Sequence, residues 1–199
     1  MSHQSNPVQF LAHEMDRFGL STSAPEWSDI LRQSNERFVT QRTPIYSDSK
    51  IGDRWILITS GLASSNYSHP DGRITLTRFF EPGHLAGNVT STWGKVYGSD
   101  ELFAITDVEG LEFPHSYLSQ ELLSGKTFGT YVRLKLVETL QFDKDLLVCK
   151  SLNEPEVGLK FLEERQASVL QFALKKDIAA FLGITAQAYS RILRRHSTD

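Results

Sequence analysis

The chain has 199 residues, 40% of them apolar and 23% charged, with a formal net charge of -3. This is the composition of a globular protein with one large domain or two small ones; it excludes a disordered or fibrous chain, and the slight acidity excludes binding nucleic acid through bulk charge alone. Cys149 is the one cysteine, which excludes an internal disulfide and a thiolate metal or iron–sulfur site, and no signal-like N-terminus or membrane-length apolar run is present, so a cytoplasmic protein is expected and the Asn66 and Asn88 sequons read as chance matches.

Asn6-Pro7 has the form of a cap followed by a first helical residue, and Val8, Leu11, Met15 and Phe18 give the helix it opens one apolar face. Ser21-Thr22-Ser23-Ala24-Pro25 caps a second helix carrying Trp27, Ile30 and Leu31. From about Glu36 the period changes. Short β-rich runs, RFVT, WILIT, ITLTRFF, ELFAIT and GLEF, alternate with turn signals such as Gly52-Asp53, Gly61, Asp71-Gly72 and Glu81-Pro82-Gly83. Asp71-Gly72 predicts a hairpin, and many short strands at close spacing predict a β-roll or small barrel. After Pro114 the pattern is helical again: a short helix over 115–124, a long one over 126–150, and another opening at Asn153-Glu154-Pro155. The long helix carries more apolar residues than one packing face needs, so either a partner helix or burial within the chain fits it.

The stretch KKDIAAFLGITAQAYSRILRR, Lys175–Arg195, carries the most information. Ile178 and Leu182 share one face of a helix, Ala179 is small enough for close packing, Gly183 suits a tight turn, Ile184 plugs it, and Thr185 caps a second helix whose Tyr189 and Ile192 point inward. The pattern is a helix-turn-helix, the unit that sets a short helix in the DNA major groove. Ala186, Gln187, Ala188, Ser190, Arg191, Arg194 and Arg195 are left outside. Gln bonds an adenine edge bidentately and Arg a guanine edge, and Gln187 and Arg191 are one turn apart. Arg194, Arg195, Lys175 and Lys176 suit phosphates, which supply affinity and register rather than sequence. These basic residues face only Asp177 and Asp199, so the segment is positive on an otherwise acidic chain.

In this order of elements the chain resembles the Crp/Fnr family of bacterial transcription regulators. The likeness extends into residues 52–88, where Gly52-Asp53, Gly61, Asp71-Gly72 and the F-x-x-G-x-x-x-G of Phe80, Gly83 and Gly87 are similar to the family's β-roll core, and it covers about residues 25–195. The resemblance implies an α+β fold: N-terminal helices, an antiparallel β-roll (a double-stranded β-helix), a long dimerisation helix, and a C-terminal helix-turn-helix of the winged type. It implies a division into residues 1–125 (helices and cyclic nucleotide-binding-like roll), 126–150 (dimerisation helix) and 151–199 (DNA-binding unit). A homodimer on double-stranded DNA is implied, reading an inverted repeat with recognition helices about 34 Å apart. Thr185, Gln187, Ser190 and Arg191 fall at DNA-contact positions. Family members often have Pro-Glu or Arg-Glu after the residue matching Thr185; here Ala186-Gln187 stands there, so a different operator is expected.

The family's cyclic-nucleotide members use a Glu beside the last Gly for the ribose and an Arg for the phosphate. Here Asn88 follows Gly87, no Arg occurs between Gly87 and Leu102, and Asp100 and Glu101 would repel a phosphate. Lys95 lacks the bidentate fork of an arginine. Gly87, Asn88, Lys95 and Ser99 are therefore the candidate contacts of an unidentified small-molecule effector, and cyclic AMP is not the expected ligand. His69, His84 and His115 read as turn or surface histidines, and Trp93, Tyr97 and Phe103 as roll core. No cofactor or metal is expected. The rival readings are a sensor whose hairpin contacts protein, which the basic excess of the hairpin opposes, and a cupin-like enzyme, for which the H-x-H and convergent titratable set are missing.

Overall fold

Both N-terminal helices start at the caps the sequence supplies. The structure, a computed structural model, describes residues 6–46, 54–68, 71–72, 74–87 and 99–196. Asn6 Oδ1 accepts from Val8 N at 2.8 Å to open α1 (Pro7–Arg17), and the Ser23 hydroxyl accepts from Glu26 N to open α2 (Ala24–Gln33). The strands follow: β1 (Asn35–Val39), β2 (Pro44–Tyr46), β3 (Arg54–Ser60), β4 (Ala63–Ser68), β5 (Ile74–Phe80), β6 (Leu85–Gly87), β7 (Ser99–Ala104) and β8 (Val108–Pro114). Helices complete the described chain: α3 (His115–Leu123), α4 (Thr127–Ser151), α5 (Pro155–Arg165), α6 (Ala167–Phe172), α7 (Lys175–Phe181) and α8 (Ala186–His196).

The strands form two antiparallel four-stranded sheets, in the orders β1-β8-β3-β6 and β2-β7-β4-β5. The run WILIT explains their stacking. Side chains alternate across a strand, so Ile56 and Ile58 enter the roll interior with Val39, Ile45, Phe80, Leu102 and Val108, while Trp55 and Leu57 go to the opposite face. There they meet Leu11 and Met15 of α1, Ile30 of α2, Tyr117 and Leu118 of α3, and Phe128, Tyr131 and Val132 of α4. A third cluster lies beyond the second sheet: Leu62, Leu76 and Phe79 of the roll pack with Phe142 and Leu146 of α4 and with Ile178, Phe181, Tyr189 and Ile192 of α7 and α8. The C-terminal helices thus rest on the roll as well as on the long helix.

The predicted hairpin at Asp71-Gly72 joins β4 to β5. Strands β2 and β6 were not expected from the sequence. Each has three residues, too short for a period to show, and each exists because of its partner: β2 pairs with β7 and β6 with β3. Among the described residues no strand follows β8, so the wing expected with the helix-turn-helix has no counterpart there. Gly52-Asp53, His69, Asn88, Trp93, Lys95 and Tyr97 lie outside the described residues.

Candidate nucleic-acid interface

The turn between α7 and α8 is a Schellman closure. Gly183 sits at φ +70, Gly183 N donates to Ala180 O at 3.2 Å, and Ile184 N donates to Ala179 O at 3.0 Å. A Cβ at Gly183 would meet nothing within 4 Å, so its backbone conformation, not crowding, is what asks for glycine. Thr185 Oγ1 then accepts from Ala188 N at 3.1 Å and starts α8. Ile178, Ala179, Tyr189 and Ile192 are buried as the spacing implied. Phe181 is also buried, its ring centroid 5.2 Å from that of Phe79 on the roll.

With those residues inside, Thr185, Ala186, Gln187, Arg191, Arg194 and Arg195 are exposed, as are Lys175 and Lys176 at the start of α7. Two readings change. Ala188 is half-buried rather than outward. Ser190 is half-buried and its hydroxyl donates to Ala186 O at 2.9 Å, so its proton is already committed within the helix and its oxygen is left as an acceptor. Arg194 Nε donates to Ser190 O at 3.3 Å, which holds the side chain along α8.

A second polar site joins the roll to α4. Arg78 of β5 is buried, and its Nη1 donates to Asp143 Oδ1 at 2.6 Å. Its guanidinium lies 4.7 Å from the ring centroid of Phe142 and 4.9 Å from that of Phe80, while its Nε is buried without a partner. Burial lowers the Arg78 pKa and raises that of Asp143, in each case against the pull of its partner. His84 is packed between Phe80 and Phe142, and its Nδ1 accepts from Glu81 N at 2.9 Å. Burial, then the charges of Arg78 and Lys135, push its pKa down to about 3, so the ring is neutral near pH 7. Lys135 is buried too, bonded to Glu14 of α1 at 3.2 Å and to Glu138 at 2.8 Å. A cavity of about 470 Å³ borders this seam, lined in part by Arg78, His84, Lys135, Glu138, Gln141 and Arg165. The sequence pattern did not reveal this site. Its one visible signal was Arg78 standing inside the apolar run TLTRFF.

No family model matches the chain, and no curated protein does. Solved structures do. FixK2 from Bradyrhizobium japonicum is 18% identical at a TM-score of 0.63, covering 83% of this chain and 85% of its own. The c-di-GMP responsive global regulator CLP of Xanthomonas campestris is 16% identical at a TM-score of 0.63, covering 89% and 93%. A Eubacterium rectale protein described as a crp/fnr-family transcriptional regulator is 15% identical at a TM-score of 0.66, covering 88% and 84%. The chain has the Crp/Fnr fold. At these identities the likeness concerns architecture, so the role of each side chain rests on its own geometry.

Within the Crp/Fnr fold the candidate effector contacts divide. Gly87 is in β6, where a Cβ would fall 2.5 Å from the Trp55 ring, so close packing accounts for this glycine without a ligand. Ser99 pairs with Ser68 at the start of β7. Asn88 and Lys95 lie outside the described residues, so the four are not seen together. His84 is a turn histidine, as expected, but a packed one. His115 opens α3, where its Nδ1 accepts from Trp55 Nε1 at 3.0 Å and its Nε2 lies 3.0 Å from Ser119 Oγ. Phe103 is half-buried on β7. Among the described residues no group of three or more His, Cys, Asp or Glu could hold a metal ion, and no helix is long and apolar enough to cross a membrane. Cys149 is buried on α4, and burial raises its thiol pKa.

Proposed function

We propose that this chain is a transcription regulator that binds an inverted-repeat operator as a homodimer, with residues 151–199 reading DNA, 126–150 dimerising and 1–125 sensing or holding the arrangement. The observation that carries this reading is the outer surface of the last two helices. With the large apolar residues of the hairpin turned inward, α8 presents Gln187 and Arg191 one turn apart, flanked by Arg194, Arg195, Lys175 and Lys176. Gln187 and Arg191 have the chemistry to read base edges, and the lysines and remaining arginines the chemistry to bind phosphates. Thr185 and Ala186 bring the N-terminus of α8 close to the DNA, and the Ser190 oxygen accepts.

The dimer rests on α4. Its inner face is in the core, yet Val137, Leu140, Leu147 and Val148 are 61%, 68%, 70% and 55% exposed along one stripe of the other face. A second copy would cover that stripe in a two-fold pair. Such a regulator acts in the cytoplasm. A small-molecule effector would act by favouring one relative orientation of the two recognition helices, and only to the extent that it binds that orientation better.

Selection of random duplex DNA on the full chain, with bound sequences read at two salt concentrations, tests the reading. An enriched inverted repeat with half-sites about one helical turn apart is the expected result; no enrichment at either salt concentration contradicts it. On the recovered site, Arg191→Ala is expected to cost about 1–3 kcal/mol, more than on scrambled DNA. An equal cost on both would make Arg191 a phosphate contact.

A further inference from the structure

Arg42 lies in the turn between β1 and β2, far in sequence from the helix-turn-helix, yet it lines a cleft of about 160 Å³ together with Leu174, Lys176 and Asp177 at the start of α7. The other walls are Ser64, Asn66, Leu76, Phe103 and Ile105 of the roll. Three facts set Arg42 apart. It is one of two described non-glycine residues at positive φ, at 61°, a conformation that disfavours any residue with a Cβ and that glycine or asparagine would adopt more readily. The turn is fixed from both sides: Arg42 N donates to Ala104 O at 2.7 Å, Ala104 N to Thr43 O at 2.9 Å, Gln41 N to Asp107 Oδ1 at 2.7 Å and Thr43 Oγ1 to Thr40 O at 2.6 Å. And the residue is exposed, its guanidinium in no hydrogen bond or ion pair with a described residue. A rigid, strained turn therefore presents a cation that is paired with none of the described residues.

We infer that Arg42 is a DNA phosphate contact supplied by the β-roll, extending the basic track of Lys175 and Lys176. The inference rests on the regulator reading above. The first helix of a helix-turn-helix crosses the DNA backbone, and Arg42 adjoins the end of that helix remote from the Gly183 turn. Asp177 shares the cleft, but its one carboxylate stands against two cations there, Arg42 and Lys176, with Lys175 next in the chain. Arginine binds phosphate through a planar fork of donors. Because the roll carries Arg42 and the hairpin carries Lys176, the contact is made only while the two keep the relation that the shared cluster of Leu76, Phe79, Ile178 and Phe181 gives them. DNA affinity would then report how the roll and the hairpin are docked.

The test compares wild type, Arg42→Gly and Arg42→Lys as full chains, on the selected operator and on a scrambled duplex of equal length, across a salt series. Glycine accepts the positive φ, so Arg42→Gly should melt no lower than wild type. Each phosphate neutralised adds about 0.9 to the slope of log affinity against log salt. Arg42→Gly removes one such cation from each protomer, so it should flatten that slope by about 2 per dimer on both duplexes, while Arg42→Lys should keep most of it. A wild-type slope in Arg42→Gly overturns the inference, and so does a weakening confined to the operator, which marks a base contact instead. If the wild type binds neither duplex at low salt, the regulator reading itself fails and this inference with it; unchanged slopes with intact binding refute this inference alone.

Discussion

The two halves of α4 do different work with similar residues. From Thr127 to Leu136 the helix is set in a dense aromatic group: the Phe128 ring centroid lies 5.5 Å from Phe113, 5.9 Å from Tyr117 and 6.0 Å from Tyr131. The buried Lys135 closes this half with its bonds to Glu14 and Glu138. From Val137 onward the same helix has two apolar faces. Phe142 and Leu146 pack against roll and hairpin and Cys149 is buried, while Val137, Leu140, Leu147 and Val148 face outward. An exposed apolar stripe of this kind marks a surface that buries itself elsewhere. The first half is fixed within the protomer; the second leaves an apolar stripe exposed, which a second copy would cover under the proposed reading.

Three measurements sharpen that contrast. Phe128→Ala, in the fixed half, removes a fully buried ring and should cost about 3–5 kcal/mol of stability, read as a lowered denaturation midpoint. A cost under about 1 kcal/mol would show that the aromatic group is not what anchors α4. In the open half, Leu140→Glu combined with Leu147→Glu should leave the protomer's secondary structure intact, because exposed positions tolerate substitution. It should yield a monomer by light scattering and weaken binding to a two-half-site operator by about 100-fold or more, because the second half-site is no longer reached by a tethered partner. A dimer that survives both glutamates places the interface elsewhere. The smallest effect concerns His84, at the seam between the two halves. Its folded pKa of about 3 lies below the unfolded value of 6.5, so below pH 6.5 the unfolded chain binds the extra proton and stability falls as pH falls. Between pH 6.5 and 5 this group should lower stability by about 1.5 kcal/mol. In His84→Asn, whose Oδ1 can accept the Glu81 N–H, melting curves over that range should be flatter by that amount; an unchanged acid limb would show that His84 is protonated in place.

The hairpin was the most legible part of the chain because its signals are local. Small, glycine, cap and apolar residues at helical spacing all lie within Lys175–Arg195, and each holds the position its chemistry suggested: Gly183 at positive φ, Thr185 bonded to Ala188, Tyr189 and Ile192 inside. Ser190 shows the limit of that legibility. Its outward position was nearly right, but the bond to Ala186 O that consumes its proton depends on a rotamer no spacing reveals. The effector set was far less legible, since it was carried by likeness to a cassette that this chain does not match. Gly87, the member closest to a family motif, is accounted for by the Trp55 ring pressed against it.

The sequence by itself determined where most of the helices begin, which of the longer runs are strands, and that the C-terminal pair of helices turns a basic face outward; the short α6 between α5 and α7 was not legible in it. Caps, turn glycines and periodicities act over a few residues, so they are written in order along the chain. Tertiary structure alone decided that the three-residue strands β2 and β6 exist, that Arg78 meets Asp143, that Tyr46 donates to Glu112 at 2.6 Å, and that Arg42 of an early turn stands beside Lys176. Each of those depends on residues brought together from distant parts of the chain. Burial gives such meetings their energetic weight: a charged or polar group taken out of water must find a partner, and folding, not spacing, supplies it.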